Sequence, residues 1–133
     1  MPKILIVEDD PSINKMYEDV FKLEKYDVAI AMDGQEGLEK AASELPDAIL
    51  LDIMMPKVDG LLVLERLKKN EKTKHIPVII LSNLVGGTDV QHAKYFGAVK
   101  YVVKSQFLPN EIVQITRKVL SGDDGNFLEN KPI

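Results

Sequence analysis

Two hydrophobic periods alternate along the chain. Five short apolar runs, Ile4–Val7, Val28–Ala31, Ala48–Leu51, Val78–Leu81 and Val99–Val103, are mostly rich in Ile and Val with little polar alternation. Such runs predict strands covered on both faces. Between them, apolar residues recur at helical spacing. Ile13, Met16, Tyr17, Val20 and Phe21 form a first stripe, with Asp10 placed to cap it and Pro11 at the first helical position. Leu38, Ala41, Ala42 and Leu45 form a second, closed by Pro46. Leu61, Leu64 and Leu67 form a third, followed by Lys68 and Lys69, cations suited to a helix C-terminus. Val90, Ala93 and Phe96 form a fourth, stopped at Gly97, and Ile112, Val113, Thr116, Val119 and Leu120 a fifth, stopped at Gly122.

Strand and helix thus alternate five times. Right-handed crossovers turn that order into an α/β fold: a doubly wound, five-stranded parallel sheet with helices on both faces. The flavodoxin-like strand order 2-1-3-4-5 is expected. Residues 1–121 make up this domain, and 122–133 a short polar tail expected to lie loosely on the surface. Phe127 and Leu128 are the tail's candidates for docking, at a place the sequence does not specify.

Composition narrows the function classes. A chain of 133 residues suits one domain with one substantial core. A net charge of −4 argues against a nucleic-acid-binding face. The absence of cysteine excludes disulfides, thiolate metal sites and cysteine nucleophiles. The N-terminal apolar stretch is too short for a signal peptide, and no window reaches the ~20 apolar residues of a membrane span. A soluble, cytoplasmic domain is expected.

The chemistry gathers where the strands end. In such a sheet, ligands bind beyond the carboxyl ends of the strands, near the point where strand order reverses. The first strand runs into Glu8, Asp9 and Asp10, the third into Asp52, the fourth into Ser82 and Asn83, and the fifth into Lys104. Only the second, an edge strand in the expected order, ends without such a group, at Met32. Singly, each residue has a plain structural reading: acids as solvated groups or caps, Ser82 as a partner for nearby backbone, Lys104 as a surface lysine. Together on one rim they read as a site. Crowded carboxylates repel unless a cation intervenes. Oxygen donors with room for water suit a hard ion, Mg²⁺ better than Ca²⁺. A metal-held carboxylate beside a lysine and a hydroxyl suits a phosphoryl acceptor, with Asp52 attacking in line.

The combination VEDDPS at 7–12, LLDIMMPKVDG at 50–60, VIILS at 78–82 and YVVK at 101–104 resembles the receiver domain of two-component response regulators, in the manner of the chemotaxis regulators. The likeness runs from about Lys3 to Leu120, and the spacings are similar to the family's: 43 residues from Asp9 to Asp52, 30 to Ser82 and 22 to Lys104. It implies Asp52 as phosphoacceptor. It implies Mg²⁺, or Mn²⁺ in its place, held by Asp9, Asp52 and the Met54 carbonyl, with Glu8 acting through water. Lys104 and Ser82 would contact phosphoryl oxygens, and Tyr101 would be the switch aromatic that swings inward with Ser82. Pro56 and Gly60 would shape the loop after the third strand, and Asp59 would cap the third helix. The donor would be a histidine kinase or phosphotransfer protein, and the reader a downstream protein or an output domain these residues do not carry. Direct contact with nucleic acid or membrane is not expected. The chain would catalyse its own phosphorylation and slow dephosphorylation, changing the surface of the fourth helix, fifth strand and fifth helix. A stand-alone receiver and a fragment of a longer regulator both remain open.

Three positions depart from the family's common residues. Ser105 stands where proline is usual, which leaves the Lys104–Ser105 bond cis or trans. Asn83 replaces a small residue and, with Met54, is expected to control access to Asp52. Lys100 stands before Tyr101, where regulators that dimerise through this face commonly carry acids. Among rivals, a phosphatase of the haloacid dehalogenase type needs an acid two residues after its nucleophile, and Met54 occupies that place. In a flavin-binding module of the same fold, Glu8, Asp9 and Asp10 would repel the flavin phosphate. A pseudo-receiver, working as an interaction module without phosphorylation, is the main alternative.

Overall fold

All five expected strands form, each followed by a helix. In chain order these are β1 (Lys3–Val7), α1 (Pro11–Leu23), β2 (Asp27–Ala31), α2 (Gly34–Glu44), β3 (Ala48–Asp52), α3 (Gly60–Lys69), β4 (Val78–Ser82), α4 (Gly87–Tyr95), β5 (Lys100–Val103), a 3₁₀ turn (Lys104–Gln106) and α5 (Pro109–Leu120). The computed structural model describes residues 1–55, 59–83, 87–122 and 125–129. The sheet is parallel, and its order continues past the expected 2-1-3-4-5 into a short sixth strand, β6 (Leu128–Glu129), beside β5. The expectation of a loose tail is therefore corrected for residues 125–129; the rest of 123–133 lies outside the described residues. Among the described residues, no helix is long and apolar enough to cross a membrane.

Two apolar layers explain the unbroken apolar strands. Alternate strand residues point to opposite faces. Leu5, Val7, Ile49, Leu51, Val78, Ile80 and Tyr101 pack with α2, α3 and α4, whereas Ile4, Ile6, Leu50, Ile79, Leu81 and Val102 pack with α1 and α5. Every residue of β3 and β4 is buried.

The helix ends follow the side chains that stop or start them. Asp10 caps α1, accepting from the N–H groups of Ser12 and Ile13 at 2.8 and 3.2 Å. Asp59 caps α3, accepting from Leu61 N–H at 2.9 Å. Two stripe expectations are corrected. Met16 is 39% exposed, and Asn14 takes an inward place on α1 instead. Leu45 is exposed because it is the left-handed cap of α2, at φ 47°, which carries it out of the helical register.

Gly60 opens α3 against the end of β3. A Cβ there would lie 2.3 Å from Ile53 Cα, a backbone atom. Gly60→Ala is expected to lower stability by about 1–3 kcal/mol, or more if the loop cannot shift. Urea unfolding checks this, and an unchanged midpoint would show that the approach relaxes freely.

Candidate functional site: an acidic rim closed by a lysine

Parallel strands bring all their carboxyl ends to one edge, so residues far apart in sequence become neighbours. Glu8 follows β1, Asp52 ends β3, Ser82 ends β4 and Lys104 follows β5. Carboxylate oxygens of Glu8, Asp9 and Asp52 all lie within 4.8 Å of one another. Lys104 Nζ sits 3.3 Å from Glu8 Oε1 and 3.5 Å from Asp52 Oδ2. Asp52 Oδ1 accepts from the Met54 backbone N–H at 2.9 Å. Glu8 and Asp52 are only 3% and 4% exposed. The carboxylate at the end of a buried strand is thus held by a backbone donor on one oxygen and an ammonium near the other.

One ammonium among three acids leaves the rim electron-rich. Burial, then a hydrogen bond donated by the protonated Glu8 to Asp52 and the negative charge of Asp52, then a hydrogen bond to Asp9, push Glu8 up to about 7 against a reference of 4.5, and Lys104 works in the opposite sense. Tyr17, buried in α1, is pushed up to about 12 by burial and by the charges of Glu8 and Asp52. A hard divalent cation fits this donor set: all-oxygen ligands, close together, with excess negative charge.

The raised Glu8 carboxyl makes stability depend on pH. Below 4.5 it is protonated in both folded and unfolded chains. Above that the unfolded chain releases the proton while folded Glu8 keeps it until about 7, so stability falls as pH rises through this window. Relative to Glu8→Gln, the metal-free wild type is expected to lose melting temperature across it. A pH-independent difference between the two chains would show that Glu8 ionises as in water.

The remaining predicted residues are placed as follows. Ser82 is fully buried, and so is Tyr101, whose side chain is hydrogen-bonded to Ser82. The aromatic therefore already points inward, with its phenol pushed up by burial. Asn83 is exposed, and its Oδ1 accepts from Ser105 N–H at 2.9 Å. That donor exists because residue 105 is not proline. The described residues contain no cis peptide bond, so Lys104–Ser105 is trans. Met54 is half exposed, and Pro56 lies outside the described residues.

Asn14 is the supporting residue that sequence reasoning passed over. Its buried Nδ2 donates to the carbonyls of Glu8 and Ala31, at 2.9 and 3.2 Å, and so anchors the acidic loop to the end of β2. The available signal was a single amide beside the apolar stripe of the first helix. Tyr17 was read only as core, although it lies near enough to Glu8 and Asp52 for their charges to push its phenol up.

The geometry agrees with comparisons to known proteins. Residues 4–117 match the family model described as the response regulator receiver domain. The chain is 39% identical over 124 residues to the DNA-binding dual master transcriptional regulator RpaA of Synechocystis sp., covering 93% of this chain and 51% of that protein. It is 35% identical over 133 residues to the response regulator ArlR of Staphylococcus saprophyticus, covering 100% of this chain and 59% of the relative. The chain thus spans little more than half the length of these two curated relatives. Among solved structures, the chemotaxis protein CheY4 of Vibrio cholerae superposes with a TM-score of 0.84 at 29% identity, covering 90% of this chain and 98% of that one. With an acidic rim, a strand-end aspartate and a lysine meeting at the carboxyl edge of such a sheet, this chain belongs to the response regulator receiver domain family.

Proposed function

We propose that this chain is a signalling switch driven by phosphorylation of Asp52. The observation that carries the reading is the convergence on Asp52 of two further carboxylates, a backbone donor and the Lys104 ammonium. A histidine kinase or phosphotransfer protein is the donor. An Asp52 carboxylate oxygen forms a bond to phosphorus as the P–N bond to the donor imidazole breaks, and that bond's electron pair leaves with the nitrogen. Asp9, Asp52 and the Met54 carbonyl would hold Mg²⁺, with Glu8 through water, and the bound ion, or Mn²⁺ in its place, would neutralise charge on the phosphoryl oxygens. Met54 N–H orients Asp52. Lys104 moves its ion pairing from Glu8 and Asp52 to the transferred group, and Ser82 donates its hydroxyl to another phosphoryl oxygen. The product is the modified chain itself, and no external substrate turns over.

Intact mass tests the reading. With Mg²⁺ and acetyl phosphate the chain is expected to gain one phosphoryl group. No gain would leave only a phosphorylation-independent interaction module. Mg²⁺ is also expected to flatten the pH dependence that Glu8 imposes, because ionised carboxylates are what the ion binds.

Asn83 and Met54 stand at the mouth of the site and slow loss of the acyl phosphate by limiting water access. The Ser105 N–H fixes Asn83 in that place. Asn83→Ala is expected to speed autodephosphorylation a few-fold, equivalent to about 1 kcal/mol of barrier. An unchanged decay rate by mass spectrometry would remove Asn83 from this role.

Downstream, the switch is read on the α4, β5 and α5 surface by a partner protein or an attached output domain. DNA binding of the kind RpaA performs would belong to such a domain. The net charge of −4 argues against a basic face for it in these residues.

A further inference from the structure

The outer edge of β5 carries an occupant that the phosphoacceptor reading does not explain. Residues 126–129, Asn-Phe-Leu-Glu, lie along it in parallel register, with Leu128 opposite Tyr101 and Glu129 opposite Val102. Tyr101 N–H donates to the Phe127 carbonyl at 2.9 Å. Lys100, only 3% exposed, donates to the Asn126 carbonyl and pairs with Glu129 Oε1 at 2.9 Å. Lys94 Nζ lies 5.8 Å from the centre of the Phe127 ring. Phe127 and Leu128 pack against the core layer that contains Tyr101.

These contacts define what the edge accepts. A two-residue strand has too little pairing to hold itself in place. Its hold comes from the buried Lys100, which needs an anion, and from the apolar wall offered by an inward Tyr101. A buried ammonium without its partner is costly, so the edge selects an acid at the position of Glu129. If Tyr101 swung outward it would alter the core layer against which Phe127 and Leu128 pack and shift the N–H that holds the Phe127 carbonyl.

We propose that the β5 edge with Lys100 is a docking site for an extended apolar–acidic segment, occupied here by Phe127–Glu129 of the same chain, and that docking is linked to phosphorylation through Tyr101. The linkage half rests on Asp52 being the phosphoacceptor: a phosphoryl group that draws on Ser82 biases the Ser82–Tyr101 pair. The segment is docked here with Tyr101 inward, so phosphorylation that holds Tyr101 inward tightens the segment, and by reciprocity the docked segment favours the phosphorylated state equally. A partner reading α4, β5 and α5 meets a face whose edge is already capped and must accept or displace that cap.

The test follows Tyr101 amide exchange by NMR in the full chain, in the wild type, Leu128→Asp and the conservative Glu129→Gln. Without donor, both variants are expected to speed Tyr101 exchange, with β3 amides unchanged as proof of an intact fold. Wild-type exchange in both would overturn docking. With acetyl phosphate and Mg²⁺, wild-type Tyr101 exchange is expected to slow by at least about fivefold, and both variants to hold less phosphoprotein at steady state. Gain of a phosphoryl group with unchanged Tyr101 exchange and equal phosphoprotein would overturn the linkage while leaving the acceptor reading intact. No gain of mass would overturn the acceptor reading and the linkage together, with docking still decided by the donor-free comparison.

Discussion

Asp52→Asn is expected to take no phosphoryl group from acetyl phosphate under conditions in which the wild type takes one, a loss of at least about 10³-fold in rate. The amide preserves shape but offers no anionic oxygen to phosphorus. The neighbours are poor substitutes. One oxygen of Glu8 lies beside Lys104 while the other accepts from Asp10 N–H at 3.3 Å. Asp9 follows β1, and the Met54 N–H that orients the strand-end carboxylate donates to Asp52. Intact mass over time, with peptide mapping of any residual label, checks the prediction. The same variant is expected to bring Glu8 back toward the ordinary carboxylate range, because Asp52 supplies both a hydrogen bond and a charge that raise it. Labelling of Asp52→Asn at the wild-type rate would move the acceptor elsewhere and take the proposed mechanism with it.

Lys104→Met is the second large effect expected. Methionine approximates the length of lysine and keeps an apolar stem, but it removes the ammonium that stands between Glu8 and Asp52. A fixed positive group aimed at charge that develops on transfer is worth about 10²–10³ in rate when deleted. The variant is expected to incorporate phosphate that much more slowly. Its Glu8 should hold a proton to still higher pH, since Lys104 is the group that lowers it. The time course of mass gain reads the first effect, and the pH dependence of melting reads the second. A normal incorporation rate would show that Lys104 only holds the resting carboxylates together.

How far the site was legible before folding follows from the architecture. A parallel sheet sends every strand's carboxyl end to one edge, so chemistry placed there appears in sequence as polar residues directly after apolar runs. Glu8, Asp9, Asp52, Ser82 and Lys104 could be picked out in that way. Asn14 could not, because an amide earns no place in an apolar stripe, and its value depends on two carbonyls that only the β1 and β2 ends bring within reach. The Asn83–Ser105 hydrogen bond was equally hidden: the two departures from family pattern were each visible, and their joining was not. The tail's docking place was hidden for a related reason. Its single Phe-Leu pair has no periodicity, and only the exposed edge of β5 and the buried charge of Lys100 give it a place.

Sequence alone determined the order of strands and helices, the caps at Asp10 and Asp59, and the kinds of side chain delivered to the rim, because these depend on local periodicity and chain geometry. Tertiary structure decided the distances among Glu8, Asp9, Asp52 and Lys104, the proton held by Glu8, the inward Tyr101 and the sixth strand. Those quantities arise from burial and from contacts between residues distant in sequence, where the cost of a charge or the position of an aromatic is set by what surrounds it.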